Sequence, residues 1–306
     1  MTTDTVQRHH DRLVEDVRWF IGSVVPGLFG RLAYDQVAYR EIAAAVDRGG
    51  RFAQNFTDRA VRSLAHVDLM TFGDSADAQA EIELLKRLHR DVRGTGAKDF
   101  ADTRYSALNP DAWKWVAVSG LNVIYQAYVH TAGRRLDPAE REIVYQTIRA
   151  SVAPLELPGR GTRLPATLAE MTEYYDDIAR NKLADNEFLQ FARRSLSALP
   201  LPTLLLPAIV RVLAQPLWRA TLPVAARPVL ICSAGAAHPK MRELLGPDWT
   251  TRNRLEFALY TTVATLAWQH LPRRLTLTPL AHNRFRYEKI RARYKSLQLD
   301  SFAASA

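Results

Sequence analysis

The chain of 306 residues contains only one cysteine, Cys232. A single cysteine excludes a disulfide framework within the chain, and a lone cysteine without a paired motif is more typical of a protein core than of a nucleophile. The sequence also opens without the charged and then apolar leader of a secreted protein. We therefore predict a cytoplasmic protein in which Cys232 is buried.

Long apolar runs are also missing. The most apolar stretch, residues 196–213, is interrupted by three prolines and by Arg211, so it does not predict a membrane span. It predicts either a buried helical hairpin, which we favour, or a segment that lies on a membrane surface. The second interpretation depends on apolar side chains that lie close to two arginines: Leu204, Leu205, Leu206 and Ile209 near Arg211 and Arg219.

Signatures of the common enzyme classes are absent as well. The eight histidines and the single cysteine form no His-x-x-x-His, Glu-x-x-His or Cys-x-x-Cys set, so a zinc or di-iron site has no sequence support. The sequence lacks a Gly-x-Ser-x-Gly elbow, a phosphate-binding glycine loop and a dinucleotide-binding fingerprint. Esterase, kinase and dehydrogenase functions are therefore not indicated.

Acidic residues are fewer than basic ones, and the formal net charge is +9. This excess raises nucleic acid and anionic lipid as partners. Most basic residues are interleaved with acids, and the clearest basic excess lies near the end, at residues 284–295. Without a zinc-finger, helix-turn-helix or aromatic RNA-binding signature, we interpret this segment as a solvated basic helix and expect no nucleic-acid partner.

Helical periodicity dominates the sequence, and no Asn-Gly or Asp-Gly turn separates alternating segments, so we predict an all-α fold. We expect one domain over residues 1–306, with flexible tails at 1–8 and 297–306. The expected helices cover residues 13–24, 34–46, 57–72 and 74–92, followed by a polar loop over 94–109, helices that begin at Pro110, Pro138 and Pro165, and a last strong helix over 251–270.

Two helix starts carry capping signals. Thr57 precedes Asp58 and is predicted to cap the third helix. The segment Asp137-Pro-Ala-Glu140 combines a capping aspartate, a proline at the first helical position and a glutamate three residues after the cap.

One histidine stands out because of its position on a helix. Ile82, Leu85, His89 and Val92 are spaced by three, four and three residues, which puts the imidazole of His89 on the apolar face of its helix. A histidine in this position needs a partner. That partner is either a backbone carbonyl or carboxylate, or else a metal, and a single helix-borne imidazole in an apolar cavity is how heme iron is commonly held.

The preceding helix carries a polar stripe. Arg59, Arg62, Ser63 and His66 are spaced by three, one and three residues and share one helix face. A solvated face has the same pattern. If the stripe faces His89 instead, Arg59 supplies a fixed positive charge to bound dioxygen or a heme propionate, and Ser63 donates a hydrogen bond.

Several short motifs follow one another in a specific order, and together they resemble a known family. The order is similar to that of the heme-dependent rubber oxygenases (latex-clearing proteins) and the mycophenolic-acid pathway oxygenases, over residues 36–279. The motifs are Arg59-Ala-Val-Arg-Ser-Leu64, Phe72-Gly-Asp74, Leu88-His-Arg-Asp-Val-Arg-Gly94, Tyr105-Ser-Ala-Leu-Asn-Pro110, Trp115-Val116, Leu136-Asp-Pro-Ala-Glu140, Leu164-Pro-Ala-Thr-Leu168, Met241-Arg-Glu-Leu-Leu-Gly246 with Trp249, and Leu271-Pro-Arg-Arg274.

The resemblance implies a globin-like helical core with additional helices and a heme b cofactor. It implies that His89 is the proximal ligand of the iron and that Arg59, Arg62 and Ser63 occupy the family's distal basic and hydroxyl positions. The implied function is an oxygenase that uses dioxygen on an apolar substrate, isoprenoid or lipid-like. Relatives usually carry a histidine directly after the Trp-Val pair, where this chain has Ala117.

That departure keeps a second hypothesis open. A non-enzymatic lipid- or protein-binding module that kept the fold would lose such a histidine without consequence. For this module, the apolar segment around residues 204–209 and the basic C-terminal helix would carry the function, through peripheral membrane contact.

Overall fold

The computed structural model describes residues 3–48, 52–195, 201, 207–245 and 248–297. These residues form 14 α-helices, three 3-10 segments and one two-stranded antiparallel sheet, which confirms the predicted all-α class. The helices are α1 Thr3–Ile21, α2 Asp35–Ala38, α3 Arg40–Asp47, α4 Phe52–Phe72, α5 Ser75–Arg90, α6 Pro110–Thr131, α7 Pro138–Val152, α8 Leu168–Asn181, α9 Glu187–Ser195, α10 Ala208–Ala236, α11 Pro239–Leu245, α12 Thr251–His270, α13 Arg273–Thr276 and α14 Pro279–Ser296. The 3-10 segments are Val25–Tyr34, Lys98–Phe100 and Ala153–Leu155, and the strands are β1 Arg93–Thr95 and β2 Arg104–Ser106.

The core is centred on α6, which contributes the fully buried Trp115 and Leu121. Helix α7 adds Tyr145, which is also fully buried. Phe20 of α1 meets the ring of Trp268 of α12 edge to face, at 5.3 Å between centroids. Helices far apart in the sequence therefore share one apolar core, in the geometry that aromatic pairs prefer.

Gly22, directly after α1, marks the closest approach between three parts of the chain. A Cβ atom at this position would lie 2.5 Å from Cβ of Ala281 and 2.5 Å from Cε2 of Phe72, which is closer than van der Waals contact allows. The carbonyl of Gly22 accepts a hydrogen bond from the amide of Thr278 at 2.8 Å. Phe72 also stacks on Trp19, at 5.8 Å between ring centroids. The ends of α1 and α4 and the start of α14 thus meet where only glycine fits.

The predicted capping signal at Asp137 is confirmed, and Asp74 caps α5 in the same way. Each side chain accepts hydrogen bonds from the backbone of the first turn, and Asp77 and Glu140 complete the two capping boxes. Helix α6 begins at Pro110, as predicted. These starts are set by residues within four positions of each other, so local sequence is sufficient to locate them.

Two predictions near the N-terminus are wrong. The first helix begins at Thr3 and not near residue 13, so residues 3–8 of the predicted flexible tail are helical. The helix expected over 34–46 is divided at Tyr39, whose backbone is extended and forms an isolated β-bridge with Leu183. That contact joins positions far apart in the chain, and helical periodicity does not register it.

Three further boundaries differ from the prediction. Helix α4 begins at Phe52, so Thr57 lies inside the helix and does not cap it. Helix α8 begins at Leu168, capped by Thr167, and not at Pro165. The expected polar loop over 94–109 contains the short hairpin of β1 and β2, in which Gly94 pairs with Tyr105.

Prolines do not interrupt helix α10. It is continuous over 29 residues although it contains three prolines. An internal proline leaves the carbonyl four residues earlier without its helical hydrogen bond. These carbonyls belong to Val212, Arg219 and Val224, which are all exposed, so water can hydrogen-bond to them.

The favoured interpretation of the stretch 196–213 as a buried hairpin is wrong for its described end. Residues 207–210 are exposed, and so are Val212 and Leu213. Leu204, Leu205 and Leu206 lie outside the described residues, as do residues 298–306 of the predicted C-terminal tail. Among the helices of the described part of the chain, none is both long and apolar enough to cross a membrane. Cys232 is buried, as predicted, and burial raises the pKa of its thiol to about 12.

Asp35 is a fully buried acid at the start of α2. One carboxylate oxygen accepts a hydrogen bond of 2.5 Å from the hydroxyl of Tyr175 on α8. Burial raises the pKa of Asp35 to about 7, and the hydrogen bonds from Tyr175 and the Gln36 backbone offset only part of that effect. The folded protein therefore keeps this carboxyl group protonated at pH values at which an exposed aspartate is already ionised.

Asp35→Asn is expected to change how stability depends on pH. In the wild type the unfolded chain releases the Asp35 proton near pH 3.8 and the folded chain near pH 7. The protonated group therefore stabilises the folded state fully below pH 3.8, and this stabilisation is lost as the pH rises through 7. The loss is at most about 4 kcal/mol, at about 1.4 kcal/mol per pKa unit. Melting temperatures between pH 4 and 8 should fall less in Asp35→Asn than in the wild type or in the exposed control Asp177→Asn. Parallel curves for all three proteins would contradict this expectation.

Candidate functional site

Helices α4 and α5 form a helical hairpin with a sharply constrained turn. A Cβ at Gly73 would lie 2.4 Å from the carbonyl oxygen of Leu69 and 2.8 Å from Cβ of Asp77, so the turn requires glycine. Asp74 then starts α5 through its capping box. The order Phe72-Gly-Asp74 therefore encodes both the end of α4 and the start of α5.

A contact between His66 of α4 and Glu81 of α5 sets the register of the hairpin. Arg59 lies seven residues before His66, and His89 lies eight residues after Glu81. With a rise of about 1.5 Å per residue, the two positions are about 10 Å and 12 Å from this contact along their helices. Arg59 and His89 are therefore at nearly the same level, toward the open end of the hairpin.

The imidazole of His89 is half-buried and has one hydrogen-bond partner. Its Nδ1 atom lies 2.8 Å from the carbonyl oxygen of Leu85, one helical turn earlier. Because a carbonyl can only accept, Nδ1 must carry the proton, and in the neutral ring Nε2 then has a free lone pair. Within the described residues Nε2 has no hydrogen-bond partner.

Trp113, in the first turn of α6, packs against this imidazole. The two rings meet edge to face, with 5.6 Å between their centroids. The indole N–H of Trp113 donates to the carbonyl of Leu155 at 2.7 Å, which fixes the ring in place. Trp113 is buried, and its contact with His89 has no signal in the sequence.

Three of the predicted polar residues are open to solvent. Arg59, Arg62 and Ser63 are exposed, and only His66 of the stripe is half-buried. Partial desolvation and the nearby positive charge of Arg48 lower the pKa of Arg59 from its ordinary value. Arg59 remains a cation at neutral pH. The roles assigned to Arg59, Arg62, Ser63 and His89 stay predictions.

The hairpin is poorly covered on its apolar side. Among its described side chains only Phe72 and Ile82 are buried. Leu64 and Leu88 expose 58% and 56% of their surface, and both lie between the His66–Glu81 contact and the open end of the hairpin. Exposed aliphatic side chains of this size are surfaces that a ligand or a partner can cover.

The position directly after the Trp115-Val116 pair holds a small apolar residue. Ala117 lies one turn beyond Trp113 on α6 and is buried. The methyl group of Ala117 packs within the protein, and this position supplies no imidazole in addition to that of His89. In the described part of the chain no three His, Cys, Asp or Glu side chains are grouped as ligands of a metal ion.

The fold and the hairpin together define an all-α protein that presents one imidazole at a partly open apolar site. A family model described as "ER-bound oxygenase mpaB/B'/Rubber oxygenase, catalytic domain" matches residues 18–267. The chain belongs to this family, which confirms the resemblance of the motif order and supports an oxygenase role with dioxygen and a small-molecule substrate. No curated protein and no solved structure matches the chain.

The protonation of His89 can be checked without any ligand. At alkaline pH we expect the neutral ring to carry its proton on Nδ1, because the Leu85 carbonyl accepts a hydrogen bond from it. Long-range ¹H–¹⁵N correlation spectra of ¹⁵N-labelled protein distinguish the two neutral tautomers, and comparison with His89→Gln assigns the signals. A proton on Nε2 would contradict the hydrogen bond and remove the free lone pair.

Proposed function

We propose that this protein is a heme b-dependent oxygenase that acts with dioxygen on an apolar small molecule, isoprenoid or lipid-like. The observation that carries the proposal is the hydrogen bond between Nδ1 of His89 and the Leu85 carbonyl, which leaves Nε2 free. Histidines that bind metals commonly donate their other ring N–H to a carbonyl in this way. Membership in an oxygenase family supports the same chemistry.

The residues of the hairpin fit a heme. His89 would bind the iron through Nε2, and Trp113 would hold the imidazole ring in its orientation by packing on one side of it. When bound, the heme would supply the iron at which dioxygen is activated. The uncovered apolar side chains Leu64 and Leu88 would contact the porphyrin or the substrate.

Charge and hydrogen-bonding groups come from α4. Arg59, level with His89, would supply positive charge to a heme propionate or to dioxygen in the pocket. Ser63, one turn further along α4, would donate a hydrogen bond, and Arg62 would add a second guanidinium at the edge of the pocket. The buried Ala117 adds no polar group, so in this proposal acid–base chemistry depends on α4.

Heme binding is the first test. Protein purified from heme-supplemented cells is expected to show a Soret band and to yield heme b in a pyridine hemochrome assay, and His89→Ala is expected to lose both because its ligand is missing. His270→Ala removes an exposed histidine at the end of α12 and should keep the heme. Circular dichroism checks that the variants fold. A wild type without heme, or a His89→Ala variant with undiminished heme, would contradict the proposal.

The role of Arg59 is tested by anion binding to the ferric heme protein. Arg59→Ala is expected to weaken azide binding about tenfold, since about 1.4 kcal/mol is a modest loss for one partly desolvated charge. Arg87→Ala removes the same charge from α5, 200° around the helix from His89 by the ideal spacing of about 100° per residue. Spectral titrations give both affinities. Equal azide affinities in the two variants would show that Arg59 does not act on the pocket.

A further inference from the structure

The first half of α10 presents large aliphatic side chains to solvent. Ile209, Val212, Leu213, Leu217 and Val224 expose 68–76% of their surface. The spacing from Ile209 to Leu213, Leu217 and Val224 is four, four and seven residues, so these side chains form one continuous stripe. Isolated exposed leucines are ordinary in proteins, but a contiguous stripe of this size marks a contact surface.

The opposite face of the same segment is more polar, although it is the less exposed one. Arg211, Gln215 and Trp218 are half-buried and Leu222 is buried, and these positions recur at spacings of four, three and four residues. A surface helix normally turns its aliphatic face inward and its charged face outward. The first part of α10 shows the opposite arrangement, with its aliphatic face outward. This arrangement is stable if the outer face contacts an apolar environment.

The chain around this stripe contains no acidic residue. Residues 188–242 lack aspartate and glutamate entirely, although 32 acidic residues occur in the rest of the chain. The same stretch carries seven basic residues: Arg193, Arg194, Arg211, Arg219, Arg227, Lys240 and Arg242. The partner of this surface is therefore expected to be negatively charged as well as apolar.

Helix α12 adds positive charge next to α10. Arg227 donates to Glu256 at 2.7 Å and to Asn253 at 3.1 Å, which holds the first turns of α12 against the middle of α10. Arg254 of α12 and Arg219 of α10 are exposed, and neither has an acidic partner among the residues that the structure describes. Both can pair with anionic groups of a partner.

We propose that the outer face of α10 docks on an anionic phospholipid surface, with the aliphatic stripe among the acyl chains and Arg219 and Arg254 at the phosphates. This combination of an apolar face and basic flanks is typical of helices that lie in the membrane interface. A second copy of the chain fits less well, because a symmetric dimer would set the acid-free face against itself. The docking needs no bound heme and is independent of the oxygenase proposal.

Vesicle co-sedimentation tests the docking with the full-length protein. The wild type is expected to bind vesicles of phosphatidylcholine with 30% phosphatidylglycerol at least tenfold more tightly than vesicles of phosphatidylcholine alone. Binding should fall at 0.5 M NaCl because salt screens the arginines. The double variant Leu213→Asp/Leu217→Asp is expected to lose at least tenfold in binding, and Arg219→Gln/Arg254→Gln to lose the preference for the anionic lipid.

The control is Ile290→Asp, which places the same charge at an exposed aliphatic position of the basic helix α14 and should bind like the wild type. Circular dichroism confirms that each variant is folded. Three results would overturn the proposal: no vesicle binding by the wild type, unchanged binding by the Leu213/Leu217 variant, or a dimer in light scattering that this variant dissociates.

Discussion

The site depends on one steric constraint, the absence of a side chain at Gly22. Because the ring of Phe72 and the methyl group of Ala281 both occupy the space next to this residue, the closed end of the α4–α5 hairpin is locked to α1 and α14. Phe72 is also the only described side chain of α4 that is buried. The body of the protein thus holds the hairpin at its turn.

At the open end of the hairpin, one hydrogen bond and one ring contact hold the imidazole of His89. His89 meets its need for a partner within its own helix, through the Leu85 carbonyl, so the orientation of the ring does not depend on a distant residue. The indole of Trp113 on α6 packs against the imidazole of His89, and its own N–H donates a hydrogen bond to the Leu155 carbonyl. The two interpretations of His89, a carbonyl partner or a metal, are therefore compatible, because each uses a different ring nitrogen.

Features that depend on neighbouring residues could be predicted from the sequence. The capping boxes at Asp74 and Asp137 and the apolar position of His89 follow from spacings of three or four residues. The break at Tyr39 and the contact of Trp113 with His89 come from tertiary pairing, and the continuity of α10 depends on which of its carbonyls face water. The outward orientation of the aliphatic face of α10 could not be predicted either. Periodicity detects a stripe of aliphatic side chains but does not show whether the stripe faces the core or the solvent.

The distance between the turn and His89 has a geometric consequence. His89 lies 16 residues beyond Gly73, so an α-helix carries it about 24 Å from the turn. A change of about 10° in the direction of α5 at the turn would displace the imidazole by about 4 Å at that radius. The packing around Gly22 fixes that direction, so it determines how precisely His89 is placed against Trp113.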